Sequence, residues 1–245
     1  KGNREKAKLA FEHTVQWRAE HGINDILSRP YPTFDLCKRV FPVYIPGRDK
    51  EGNVVIVQRV GLIDFELGYG HNMTSDDILN YYLYLIEYCW NILEPKPDSV
   101  MTTLLDLKGV KISTFRDSEK RHFMKQFVRT MSDNYPNRSH KTIMINAPSW
   151  AQMAYKVCKP LLRESTKKKI SMWNGGKAQD EVLIEVLGKD AVPRDLLEFP
   201  DDLDEAGGSG GEHGASEHQS SSIELELRSF CMEVLKAHGL EMKVF

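Results

Sequence analysis

An α/β domain on a mixed, partly parallel sheet is the fold class this 245-residue chain predicts, and three observations carry it. Val54-Val55-Ile56-Val57 is a β-branched run, the composition of a strand. Strand-like runs near 100–107 and 141–147 alternate with helix-periodic segments, the order that favours parallel pairing through helical crossovers. Finally, Tyr135 to Ile170 places a buried strand, an apolar helix and a basic cluster in direct succession. That last combination suits a site for a ligand with an apolar body and an anionic head.

Composition narrows the class. With 41% hydrophobic and 28% charged residues, the chain reads as one large globular domain with appendages. A net charge of −2 gives no global attraction to nucleic acid, so anion binding has to be local. Cys37, Cys89, Cys158 and Cys231 are scattered without a CxxC pair, which suggests neither a zinc site nor a disulfide framework and fits reduced thiols in a cytoplasmic protein. No apolar run approaches the ~20 residues of a bilayer span. The first residues do not read as a signal peptide. The chain opens without Met inside a helical pattern, so a piece of a longer protein is expected.

In chain order, residues 1–21 read as a helix with Leu9, Phe11, Val15 and Trp17 as apolar contacts and Gly22 as its stop. Four prolines between Ser28 and Pro46 predict extended segments and turns without regular structure. A strand follows at 53–61. Thr74 and the acidic residues after it cap a helix to about Leu93, with Ile78, Leu79, Tyr82, Leu85, Ile86 and Cys89 on its apolar face. Pro95 and Pro97 end it. A strand at 100–107 turns at Gly109, and 116–134 forms an amphipathic helix with Phe115, Phe123, Phe127, Val128 and Met131 inward.

The segment Lys141–Ala147 is a short buried strand stopped by Pro148. From Trp150 to Leu162 large apolar residues recur at helical spacing, and Pro160 should kink or end that helix. A short strand at 170–173 and a helix at 179–187 follow. After Phe199 the composition turns acidic and then Gly/Ser-rich, giving an expected flexible linker over 200–222. A last amphipathic helix is expected at 223–238, capped by Ser222. The domain plan is therefore 1–29 as the end of an N-terminal helical region, 30–199 as the main domain, 200–222 as linker and 223–245 as a C-terminal helix.

Four motifs in order carry a family resemblance. They are Tyr135-Pro136-Asn137-Arg138; the strand ending Ile145-Asn146-Ala147-Pro148; the helix ending Lys159-Pro160-Leu161-Leu162; and Thr166 with Lys169-Ile170. Upstream, Leu104–Ser113 and Asp49–Gly61 match a further strand-turn and a hairpin entry, with Asn53-Val54 replacing an Arg-Pro pair. Together they resemble the CRAL-TRIO lipid-binding family, in its branch of phosphatidylinositol transfer proteins, over roughly residues 1–197. The resemblance implies a sheet forming the floor of a hydrophobic lipid pocket, with flanking helices on one side and a mobile gate helix at 150–162. It also implies a cytoplasmic, peripherally membrane-associated carrier that takes a phosphatidylinositol-like phospholipid, meets membrane surfaces transiently and uses neither cofactor nor metal. The C-terminal helix could additionally serve a protein partner.

By the same resemblance, Thr166 and Lys169 hold the inositol phosphate, with Lys1, Asn137 and Arg138 completing the headgroup set. The chemistry agrees, since a hydroxyl and an ammonium three residues apart can face one pocket and an ammonium is a good point-charge partner for phosphate. The bland alternative is a solvated Lys167–Lys169 run. Asn137 stands where the family has a glutamate, so it can bond inositol hydroxyls but brings no charge. Thr103 and Tyr88 match the family's second-lipid set, while Met101 replaces a serine and Ile45 and Ile56 replace tyrosines. Choline is recognised by aromatic faces, so these losses point away from phosphatidylcholine. A more apolar cavity results, with a sterol, a tocopherol-like or retinoid-like molecule, or acyl chains alone left open. Trp150, Met153 and Val157 are the gate residues, beside a basic flank of Arg163 and Lys167–Lys169.

Enzyme signatures are weak. Gly207–Gly211 satisfies GxSxG but follows no strand, as a nucleophile elbow requires. Asp106 and Glu87 read as structural carboxylates, and no catalytic residue is assigned. The rival class is a protein-interaction or regulatory module of the same fold with a vestigial or neutral-lipid pocket.

Overall fold

A computed structural model describes residues 4–200 and 221–245. Lys1, most of the expected linker and Gly207–Gly211 lie outside the described residues. Five strands form one sheet in sequential order: β1 (Val43–Arg48), β2 (Val54–Arg59), β3 (Met101–Asp106), β4 (Ser139–Ile145) and β5 (Ile170–Met172). β1 and β2 are antiparallel, and β2 through β5 run parallel. The mixed sheet and the four later strands agree with the sequence reading. β1 does not, nor does the helix α2 (Phe34–Val40) before it. Both fall in the proline-rich stretch expected to lack regular structure. Pro46 is tolerated because β1 is an edge strand whose register shifts between Tyr44 and Gly47, where no ladder donor is needed.

Helices cover both faces, not one. On the back, Val55, Val57, Leu104, Ile143 and Ile145 pack against Leu183, Val186 and Leu187 of α9 (Lys177–Leu187). On the front, Val54, Ile56 and Met101 join the main core. That core is supplied largely by α4 (Ser75–Tyr88), capped by a Thr74–Asp77 capping box and continued by a π-helical turn at Cys89–Leu93. The period-two alternation of the strands separates the two cores.

α1 (Arg4–Glu20) departs from expectation. Leu9, Phe11 and Val15 are exposed, and of the four apolar residues named from sequence Trp17 alone packs on the core. The helix is held lower down, where Arg18 forms a two-pronged ion pair with Glu87 at 2.8 and 2.9 Å. Phe115 belongs to a separate short helix, α5 (Ile112–Arg116), and Asp117 caps α6 (Ser118–Asn134) through the backbone N–H groups of Glu119 and Lys120. The cap of the last helix, α10 (Ser222–Ala237), is Ser221, not Ser222. Its Leu227, Cys231 and Leu235 are buried in the main core, on the β1 side of the sheet.

Candidate functional site

A cavity of about 370 Å3 lies on the front of the sheet, bordered by Tyr82 and Ile86 of α4. Met101, Thr103 and Leu105 of β3 form its floor with Thr142 and Met144 of β4 and Ile170 and Met172 of β5. Phe123, Phe127 and Met131 of α6 form one wall. A further wall comes from α7 (Ala151–Cys158), followed by a 3-10 turn at Lys159–Leu161 that contains Pro160, the break the sequence predicts. The volume is within the range of small-molecule sites, and the lining is mostly apolar with a few polar groups.

Of the five headgroup candidates named from sequence, three line the cavity, Lys169 bonds to a lining residue and Lys1 is not described. Parallel pairing of β4 and β5 brings two segments thirty residues apart together, with the Thr142 N–H donating to the Lys169 carbonyl at 2.9 Å. Asn137, Arg138 and Thr166 line the cavity. Thr166 lies in α8 (Glu164–Lys167), one short turn. The Lys169 ammonium sits outside the lining, exposed, and donates to the Ser139 carbonyl. Asn137 has φ +64, so the turn itself selects an Asn there, apart from any ligand. The Arg138 guanidinium lies 4.6 Å from the Trp90 ring and donates to the Lys96 and Ser99 carbonyls at 3.0 Å each. The Trp90 indole N–H, at the cavity wall, is buried without an acceptor.

The second-lipid set divides. Met101 and Thr103 are on the floor, but Tyr88 and Ile56 are not in the lining. Ile56 shares the face of Thr103, its register partner, yet is fully buried where α4 covers the sheet. Tyr88 turns toward α10, its ring 5.4 Å from Phe230. Ile45 is likewise core.

The gate helix also needs correction. Trp150 lines the cavity beside Phe115, ring centres 6.0 Å apart. Met153 is half exposed, and neither it nor Val157 lines the cavity. The inward face is Ala151, Ala154, Tyr155 and Cys158, at i, i+3, i+4 and i+7. Residue size does not choose the face: Met153 and Val157 lie outside the lining, and the inward set mixes small residues with Tyr155. The alanine spacing was the available signal.

The two carboxylates read as structural have partners within the fold. Glu87 accepts from Arg18, from the Tyr135 hydroxyl at 2.6 Å and from Asn91 at 2.9 Å. Asp106 accepts from the Lys108 N–H and the Asn146 amide, each at 2.9 Å. Among the described residues no helix is long and apolar enough to cross a membrane.

An apolar cavity bordered by helices, over a mixed sheet, defines a class, and comparison with known proteins names it. Residues 38–196 match the model of the CRAL/TRIO domain, and the chain belongs to that family. The chain is 28% identical over 200 residues to phosphatidylinositol/phosphatidylcholine transfer protein SFH12 of Arabidopsis thaliana, covering 78% of this chain and 36% of that protein. It is 29% identical over 196 residues to SFH4 of the same plant, at 77% and 32% coverage. To the Sec14 cytosolic factor of Schizosaccharomyces pombe it is 27% identical over 206 residues, at 80% and 70%. The chain thus spans about a third of the length of the two plant relatives. Among solved structures, that of Sfh5 matches with a TM-score of 0.56 at 19% identity, covering 71% of this chain and 62% of that one.

Proposed function

We propose that this chain binds one phospholipid at a time, phosphatidylinositol-like, with acyl chains in the cavity and headgroup at the rim, and exchanges it between membranes without a covalent step. The convergence of Asn137, Arg138, Thr166 and Lys169 on one edge of an apolar cavity carries the reading. Affinity would come mainly from the acyl chains, at about 0.8 kcal/mol per buried methylene, while the rim selects the head. Two observations add support. The Trp90 N–H is a spare donor beside Arg138, suited to an ester or phosphate oxygen. The relatives above include proteins named for transfer of phosphatidylinositol and phosphatidylcholine. An open cavity favours a carrier over a scaffold, whose interior would be filled.

The test is transfer of pyrene-labelled phosphatidylinositol between vesicles by the chain and by Lys169→Ala. Lys169 is exposed and donates to one carbonyl, so the variant should keep its stability within about 0.5 kcal/mol. Its transfer rate should fall roughly tenfold, the equivalent of about 1.4 kcal/mol. Equal transfer by both proteins would remove the headgroup role.

A further inference from the structure

Behind the headgroup residues, outside the cavity, lies a buried ion pair whose bonds lead back to the site. Glu87 of α4 is 3% exposed, and neither it nor Arg18 of α1 lines the cavity. The Arg18 guanidinium meets the carboxylate with two prongs, at 2.8 and 2.9 Å. Two neutral donors complete the contact, the Tyr135 hydroxyl at 2.6 Å and the Asn91 amide at 2.9 Å. Each of them leads to one half of the Arg138–Trp90 contact. Tyr135 opens the Tyr135-Pro136-Asn137-Arg138 turn, and Asn91 follows Trp90 in the π-helical turn. Asn91 also donates to the Glu87 carbonyl at 2.8 Å, which ties that turn to α4.

A buried carboxylate stays charged only while it is paired, and among the described residues Arg18 is the one cation bonded to Glu87. Without that guanidinium, burial drives the carboxyl toward its protonated form. Its bonds to Tyr135 and Asn91 then lose their charge assistance. Burial also raises the Tyr135 phenol far above its ordinary value, so it stays a protonated donor that needs this acceptor. The Tyr135 ring is held by α1 as well, with Trp17 edge-on at 6.2 Å. Adjacent residues of α1 thus fix Tyr135 twice, Trp17 at the ring and Arg18 through Glu87 at the hydroxyl. Further along the turn, Arg138 is committed to the Lys96 and Ser99 carbonyls and lies over Trp90. A rotation of either turn therefore separates the guanidinium from the spare indole N–H.

We infer that Arg18 is a positioning residue for headgroup recognition: through Glu87 it fixes Tyr135 and Asn91, and so sets Arg138 and Trp90 in register at the cavity. The inference rests on the proposed phospholipid-binding role and adds to it a residue of α1 that touches no ligand. Its effect is confined to the head. The floor under the acyl chains comes from β3, β4 and β5, to which the Glu87 side chain makes no bond. Loss of Arg18 therefore lowers discrimination between lipids with and without a headgroup and leaves the hold on their chains.

The experiment compares the affinities of the unaltered chain and of Arg18→Met for two pyrene-labelled lipids with the same acyl chains, phosphatidylinositol and diacylglycerol. The ratio of the two affinities isolates the head. In Arg18→Met it should fall about tenfold, roughly the worth of one charge-assisted hydrogen bond, with diacylglycerol affinity held within about twofold. A purely structural role would leave the ratio where it was, or weaken both lipids equally, and either result overturns the inference. Tyr135→Phe, which cuts the link from Glu87 to the turn and keeps the ion pair, should lower the ratio in the same way. Should Arg18→Met not fold, that variant decides by the same criteria. If Lys169→Ala lowers the ratio and Arg18→Met does not, the inference fails and the phospholipid reading stands. If the unaltered chain does not prefer phosphatidylinositol to diacylglycerol, both fail.

Discussion

Glu224 of α10 accepts the backbone N–H of Ile45, on edge strand β1, at 2.7 Å. The same carboxylate pairs with Lys38, and the Ser221 hydroxyl donates to the Ile45 carbonyl. Two residues at one helix end thus satisfy both backbone groups of the edge residue, while Leu227, Cys231 and Leu235 fill the core behind it. An unpaired strand edge invites pairing with another chain, and here the protein's own C-terminal helix covers it.

Glu224→Ala should therefore destabilise the fold by about 3 kcal/mol, since it strands a buried N–H and one member of an ion pair. Urea denaturation should show a lower midpoint with an unchanged slope. A loss under about 0.5 kcal/mol would mean the edge is held by other contacts.

Glu87 holds together three elements: α1 through Arg18, the 135–138 turn through Tyr135, and its own helix through Asn91. Glu87→Ala should cost about 3–5 kcal/mol by leaving a guanidinium without its partner. Tyr135→Phe removes one hydrogen bond and should cost about 1–2 kcal/mol. Thermal melting of the two variants would rank them, and the reverse order would refute the central role of Glu87.

The inward face of α7 can be tested by filling. Ala154→Trp puts a large ring into open cavity space, so it should lower uptake of labelled phospholipid roughly tenfold, about 1.4 kcal/mol, with little loss of stability. Met153→Gln, on the half-exposed side, should change uptake by less than about twofold. Equal effects would mean the helix is rotated from the orientation described.

Alkaline pH should weaken the fold. Burial pushes the Cys231 thiol up to about 11, from an ordinary value of 9.0, and raises Cys37 and Cys158 as well. Between those values the unfolded chain releases a proton that the folded chain keeps, so stability is complete below about pH 9 and falls as pH rises toward about 11. Melting temperature followed across that range should decline, and Cys231→Ala should decline less steeply. An equal decline in both proteins would assign the effect to other groups.

Much of this was legible in the chain. The β-branched run at 54–57, the capping Thr74 and Asp77, the stop at Pro148 and the break at Pro160 each act through neighbours within a few residues, and each stands in the structure where the sequence places it. Of the motifs at 135–138 and 166–169, Asn137, Arg138 and Thr166 line the cavity and Lys169 does not. The misses share one cause. Pro46 lies in a strand because that strand is at an edge, Leu9 and Phe11 are exposed because no core residue packs on their side of α1, and Tyr88 and Ile56 leave the cavity because α10 and α4 take them into the core. Local periodicity determines whether a segment is helix or strand and which residues share a face. Which face meets the cavity, and that Arg18 and Tyr135 meet at Glu87 behind it, depends on packing between segments far apart in sequence, and only the tertiary structure decides that.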